Sequence, residues 1–508
     1  MNSTLSYTVQ FDVVSPKSNA AAVHGVQECV VLPTEDRKKL LDRPSTKAGL
    51  AKTELQFLLD ELKPDASAHT QSIELHREGG GTLRALLLSA TVSTFDLHEG
   101  IRKLYSPVTP KNRSVDVVLD VAALKAADQK RAIEAFASFV VLQAWSPEKY
   151  GRKAKSSDKK KALQVKISSR LEEDEVLKFC EKGRRLAIAT NRVRTLAELP
   201  GNHLTPHIYR KRIEEMAVQW KVRYEFLDVK ELRKRKAGAF LAVVQADSET
   251  ESGIAKLTYK GPGKNLKKLT LVGKGVCFDT GGYNVKPGDY MQGMHRDMTG
   301  SALALSILDF LVESRAALEV NCYLAIAENL ISPTGYRPND VVVASDGTSI
   351  EVLDTDAEGR MVLADALSIA TRETKPDLML DFATLTGTCV RALGTKWSGI
   401  FSHSESLAVL GVECGKTSGE RVWSFPVGAD YAEGLKSDIA DIAQLAKGNL
   451  ADHIYAATFL SHFAGKGTPW IHVDLASESH KGGLGLVNSE TTGFGVRWAV
   501  ELVEKYLS

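Results

Sequence analysis

Asp354-Thr355-Asp356-Ala357-Glu358-Gly359-Arg360, read together with Gly273-Lys274-Gly275-Val276-Cys277-Phe278-Asp279-Thr280-Gly281-Gly282, decides how this chain is built. Each segment follows a short apolar run, TSIEVL before the first and LTLV before the second, and breaks into glycine or carboxylate where a strand is expected to end. In open α/β sheets sites form outside the carboxyl ends of the strands, so both breaks are expected to face one site. Asp356 and Glu358 are two residues apart, which in an extended segment points both side chains to the same side. With Asp279 and Asp297, four carboxylates are expected to converge, with Lys274, Lys286 and Arg360 among them.

Four carboxylates in one pocket repel one another, and each is costly to desolvate unless cations supply the missing positive charge. A pair of divalent metals answers that need. Oxygen ligands suit zinc, manganese, magnesium or cobalt rather than a soft ion, and bridging carboxylates permit the roughly 3.5–4 Å spacing of two-metal hydrolytic sites. The residues alone therefore suggest metal-assisted hydrolysis.

Outward from this centre, the second half alternates strand-like and helix-like runs: LTLVGKG, SALALSILDFLVE, EVNCYLAIA, RMVLADALSIATRE and LMLDFATL. Such alternation predicts an α/β fold, with a mixed, largely parallel sheet flanked by helices. Upstream, LEEDEVLKFCEKGRRLAIATNRVRTLAEL is helical in period and stops at Pro200-Gly201, with Thr205 placed to cap the next helix ahead of Pro206. Residues 1–170, with strand-like SYTVQFDVV, QECVVL, TLRALLLSA and SVDVVLDV and helix-like KRAIEAFASFVVLQAW, read as a smaller α/β domain without a catalytic constellation. The expected division is 1–170, a connecting helix over 171–199, and a catalytic domain over 200–508. Gly79 to Gly81 lack the lysine and hydroxyl of a phosphate loop and predict a hairpin turn.

A chain of 508 residues predicts two domains, and 65 Lys plus Arg against 63 Asp plus Glu leave no global attraction to nucleic acid or membrane. The basic stretches between Gly151 and Lys161 and over Lys230–Lys236 read as solvated surface. Six scattered cysteines without CxxC spacing fit reduced core thiols. The start MNSTLSYTVQFDVV lacks the pattern of a signal peptide and no apolar run is long enough to span a bilayer, so a cytoplasmic location is expected. Neither an HExxH zinc motif nor a GxSxG nucleophile elbow occurs.

VGKGVCFDTGGYNVK, MHRDMTGSA, EVLDTDAEGRMVLADAL, DFATLTGTCVRALG and TTGFGVR, in this order, resemble the signature segments of the leucyl (cytosol) aminopeptidase family of dinuclear metallopeptidases, with similarity from about Leu196 onward. The resemblance implies that Asp279 and Glu358 bridge two metals, Lys274 and Asp297 complete the tighter site, and Asp356 completes the exchangeable one. A lysine ligand must be neutral; the residues alone leave Lys274 open between that role and an ion pair to a buried aspartate. Further implied are a metal-bridging water or hydroxide as nucleophile, protonated Lys286 on the scissile carbonyl oxygen, and Arg360 holding a bicarbonate that acts as general base. By its own chemistry Arg360 stays open between an oxyanion clamp and an ion pair to Asp356 or Glu358. Met294, Thr384, Leu385 and Gly387 match the family's pocket for the first side chain. A homohexamer acting on short peptides is implied, with manganese or zinc foremost as the metals. Asp354 and His453 depart from the family pattern near the site and leave side-chain preference open. A DNA-binding or structural protein on the same scaffold is the alternative, and near-neutral charge argues against nucleic acid.

Overall fold

The computed structural model describes residues 7–14, 27–33, 70–76, 82–105, 115–151, 161–247, 251–448 and 450–507. Two compact units result, one formed by residues 1–191 with 416–419 and 481–490, the other by the remainder. The boundary falls inside the helix Glu173–Ala197. Gly79 to Gly81 and most of the basic stretch after Gly151 lie outside the described residues.

In the first unit, β1 (Tyr7–Val14), β2 (Gln27–Pro33), β3 (Thr70–His76), β4 (Thr82–Leu88), β5 (Val115–Asp120) and β6 (Lys161–Ser168) form one sheet in the order β1-β6-β5-β2-β4-β3. All neighbours are parallel except β3 and β4. Apolar side chains of β2 and β4 point to both faces, as a strand covered on both sides requires. The helix Ala126–Gln143 contributes Ile133, Phe136 and Val140 to the core on one face.

In the second unit, β7 (Arg223–Asp228), β8 (Gly253–Lys260), β9 (Lys267–Asp279) and β10 (Leu318–Asn329) come first. The short β11 (Val341–Val343) and β12 (Ser349–Glu351) follow, then β13 (Leu378–Ala383), β14 (Ser398–Phe401), β15 (Val422–Phe425), β16 (Ile442–Ala443) and β17 (Trp470–Asp474). Eight of them make the main sheet, β15-β14-β17-β13-β9-β10-β8-β7, whose four central strands, β17, β13, β9 and β10, run parallel. Antiparallel pairs join β14 to β17, and β8 to both β10 and β7. The sheet is thus mixed and largely parallel as expected, with its four central strands parallel.

The run TSIEVL does not end a main-sheet strand. Its residues Ser349–Glu351 form β12 in a separate three-stranded sheet with β11 and β16. Asp356 and Glu358 are not in extended chain either: Asp356 lies in a turn and Glu358 opens the helix Glu358–Thr374. They converge because a turn feeds a helix start, not because a strand alternates. Further upstream, Thr205 caps the helix Pro206–Trp220, accepting the Ile208 amide at 3.4 Å with Pro206 at its first position.

Candidate metal centre and active site

The carboxyl ends of β9 and β13 and the start of the helix Glu358–Thr374 meet at one point. β9 contributes Lys274 and, at its end, Asp279. Asp297 follows the short helical turn Met294–Arg296. Glu358, at the first helical position, places its carboxylate where unpaired backbone amides and the helix dipole favour negative charge.

Lys274 Nζ lies 2.8 Å from Asp297 Oδ2 and 2.8 Å from Glu358 Oε1, and it also donates to the Thr384 carbonyl at 3.1 Å. Lys286 Nζ bridges Asp279 Oδ2 at 2.8 Å and Asp356 Oδ1 at 2.6 Å. One oxygen each from Asp279, Asp356 and Glu358 lies within 4.8 Å of the others. The structure therefore brings together all five expected metal ligands and Lys286.

The local backbone serves this convergence. A Cβ on Gly359 would lie 2.6 Å from Lys274 Cε, so the glycine makes room for the lysine. Gly359 itself lies in the first turn of the helix Glu358–Thr374. Gly281 adopts φ 86°, a conformation that suits glycine, and its amide donates to Asp279 Oδ1 at 2.8 Å.

Charge does not balance in the cluster. Asp279, Asp297, Asp356 and Glu358 carry four negative charges against the two of Lys274 and Lys286, leaving two uncompensated. Burial and then the charge of Asp279 push Asp356 up to about 6. The same two causes raise Glu358 against the opposing pull of Lys274. Burial raises Asp297, and Asp279 adds to it, while Lys274 opposes. Burial disfavours both lysine ammoniums, but the carboxylates around them outweigh it and hold Lys274 and Lys286 above the usual lysine range. Glu358 Oε2 is buried without a hydrogen-bond partner. An orphaned buried oxygen in a carboxylate-rich, charge-deficient donor set fits divalent cations.

A cavity of about 230 Å³ opens onto the cluster, and its lining includes Lys286, Asp356, Glu358, Arg360, Leu385, Gly387 and Asp452. Thr384 is turned away from it, donating from Oγ1 to Asp297 Oδ1 at 2.8 Å. Met294 stands in the turn before Asp297 and is not among the lining residues.

Arg360 pairs with neither Asp356 nor Glu358. Its Nη2 donates to both oxygens of Asp452, each at 2.9 Å, and Nη1 donates to the Gln444 carbonyl at 3.2 Å. His453 does not line the cavity; its buried ring stands edge-on to Phe425 at 4.6 Å between centroids. Asp354 accepts the Asp356 amide at 2.8 Å, which shapes the turn.

Several contributors carry no motif. Asn329, at the end of β10, donates from Nδ2 to Asp279 Oδ1 at 2.8 Å and to the Thr355 carbonyl at 2.9 Å, tying the two segments together. Fully buried Gln444 accepts the amides of Leu353 and Asp354 at 3.1 and 3.0 Å and donates to the Ala357 carbonyl at 3.0 Å. The one signal for Asn329 was a polar residue closing an apolar strand; Gln444 and Asp452 offered none.

Known proteins fit this geometry. Residues 191–500 match the catalytic domain of the cytosol aminopeptidase family. Probable cytosol aminopeptidases of Chlorobaculum tepidum and Wolbachia pipientis are 34% and 32% identical, over 85% and 89% of this chain and 88% and 96% of their own. Leucine aminopeptidase 1 of Arabidopsis thaliana is 34% identical over 86% of this chain and 84% of its own. A solved mutant of tomato leucine aminopeptidase superposes with a TM-score of 0.80 at 29% identity, covering 98% of this chain and 97% of that one. The chain belongs to the cytosol aminopeptidase family and is a metallo-aminopeptidase.

Proposed function

We propose that the protein removes the amino-terminal residue from short peptides at a site holding two divalent cations. Lys274, Asp279, Asp297, Asp356 and Glu358 would hold them. The supporting observation is the cluster itself, four converging carboxylates with only two ammoniums to balance them. When bound, two such cations, manganese or zinc foremost and magnesium or cobalt next, supply an activated water and polarise the scissile carbonyl.

Lys274 is the counter-ion of Asp297 and Glu358, and to serve as a ligand it would have to give up its proton. Lys286, with a side chain 13% exposed at the cavity, donates to the carbonyl oxygen as negative charge builds there. Leu385 and Gly387, with Met294 and Thr384 behind them, receive the first side chain. A Cβ on Gly387 would meet nothing within 4 Å, so that side of the cavity has room. A cation held there would supply a ligand position for the free amino group, which would confine the enzyme to the chain end. The working enzyme is proposed to be a cytoplasmic homohexamer, and a solution mass equal to one 55.3 kDa chain would contradict that assembly.

Part of the basic stretch Lys230–Lys236 is already balanced within the chain. Lys234 and Arg235 are paired with Glu231, and Arg235 also with Glu373.

The test is release of the first residue from dipeptides and amino-acid amides after chelation and again after adding back each metal, with N-acetylated peptides as controls. Metal-restored cleavage confined to free amino termini is expected. Cleavage that survives chelation, or that proceeds equally on acetylated peptides, contradicts the proposal.

A further inference from the structure

Arg360 is the third cation beside the carboxylate cluster, and its partner is Asp452. The arginine side chain is 3% exposed, two residues after Glu358 on the same helix, with Nε buried and without a hydrogen-bond partner. Its Nη2 holds both oxygens of Asp452 at 2.9 Å. Asp452 comes from the first position of a different helix, Asp452–Phe463, where the helix start also favours a carboxylate. Its side chain keeps 26% of its surface open, and both residues line the cavity that Lys286 and Glu358 line.

Stability gives this pair little reason to exist. The guanidinium is desolvated, and an ion pair taken out of water commonly gains less than it loses. Its position gives a better reason. One guanidinium nitrogen donating to both oxygens holds that carboxylate in place by charge-assisted bonds, and a carboxylate held at the edge of a reaction cavity is a fixed proton acceptor. An external anion would have to displace a carboxylate that the chain itself holds in place.

We propose that Asp452 is the proton-accepting carboxylate of this site, seated by Arg360, so that turnover needs no small anion from solution. The inference rests on the aminopeptidase reading above. As the oxygen of the attacking water bonds to the peptide carbonyl carbon, one of its protons passes to the Asp452 carboxylate. The same proton then passes to the amide nitrogen as the carbon–nitrogen bond breaks, and Asp452 is again a carboxylate.

In buffer freed of bicarbonate, the metal-loaded wild-type protein is expected to hold its full rate, and added bicarbonate or formate is expected to leave it unchanged. Asp452→Ala is expected to lower kcat by about 10²–10⁴-fold, the range of general-base catalysis, with KM moving far less. Formate or bicarbonate should restore part of that loss. Asp452→Asn fills the seat with an amide that cannot take the proton, so it should be equally slow and not be rescued. Calorimetric titration with formate gives a readout apart from turnover: binding to Asp452→Ala, none to wild type or Asp452→Asn.

A wild-type rate that climbs several-fold with bicarbonate overturns the inference even if the alanine variant does not fold. So does an Asp452→Ala protein with the wild-type kcat, or a slow one that neither binds formate nor is rescued by it. Absence of peptidase activity in the wild type with every metal would instead sink the aminopeptidase reading, and the formate titration would still report whether Arg360 has a vacant seat.

Discussion

The main sheet of the second unit buries charge in two places on adjoining strands, and the two are built on opposite terms. Midway along β13 and β17, Asp381 Oδ1 meets His472 Nδ1 at 2.6 Å, while Asp381 Oδ2 accepts the Trp470 indole at 2.7 Å. One carboxylate faces one imidazole. Burial disfavours the His472 imidazolium, but Asp381 outweighs it and raises the group. At the ends of β9 and β13, by contrast, four carboxylates face two ammoniums. Buried charge alone therefore does not mark a site; buried charge left short of its counter-charge does. The first arrangement holds strands together, and the second waits for a cation.

Substitution should break the two arrangements in opposite ways. Glu358→Ala is expected to abolish peptidase activity while leaving the metal-free protein as stable as wild type or more so, because it removes a carboxylate that nothing fully balances. Activity assays beside thermal unfolding after chelation check both halves. Asp381→Ala strands a buried histidine and an indole and is expected to destabilise the fold by about 3–5 kcal/mol, the range for breaking a buried pair, while the protein that remains folded keeps its metal affinity. Loss of metal binding with unchanged stability in that variant would erase the distinction.

Smaller effects sharpen it. Lys286→Ala is expected to lower kcat by about 10²–10³-fold through loss of the donor to the developing oxyanion. Asn329→Ala, which frees Asp279 and the Thr355 carbonyl, should weaken metal affinity by about 10–100-fold, measured by competition with a chelating dye. The pH profile supplies a further check. Asp356 is raised in the folded state from 3.8 to about 6, so its contribution to metal-free stability is present below pH 3.8 and is lost as pH rises to about 6. Comparing wild type with Asp356→Asn after chelation should show a flatter loss over that window in the variant.

Most of the proposed ligand set could be read in the sequence because Lys274 and Asp279, and Asp356 and Glu358, lie in two short segments rich in glycine and acid, GKGVCFD and DTDAEGR. Family resemblance then supplied the roles. Local periodicity failed at Asp356 and Glu358, where helix formation from Glu358 onward replaced the extended chain. Arg360 was legible as a cation that would hold an anion or a carboxylate, but its partner Asp452 was not. Asp452 is 92 residues away and reaches the arginine only after the helix Asp452–Phe463 docks near Glu358–Thr374. Gln444 was invisible for the same reason: one uncharged side chain organises the DTDAEGR turn from a distant loop, a tertiary effect without periodicity or spacing. Thr205 before Pro206 could be read outright because a helix cap is local.

The most direct test of the central claim is a count of divalent cations per chain. After chelation, dialysis against manganese or zinc and removal of free metal, elemental analysis of the wild-type protein should find two per 55.3 kDa chain, with Glu358→Ala retaining fewer and Asp381→Ala the same two. A folded wild type that retains none, or a Glu358→Ala variant that retains as many as the wild type, would contradict the assignment of the charge-deficient cluster as the metal centre.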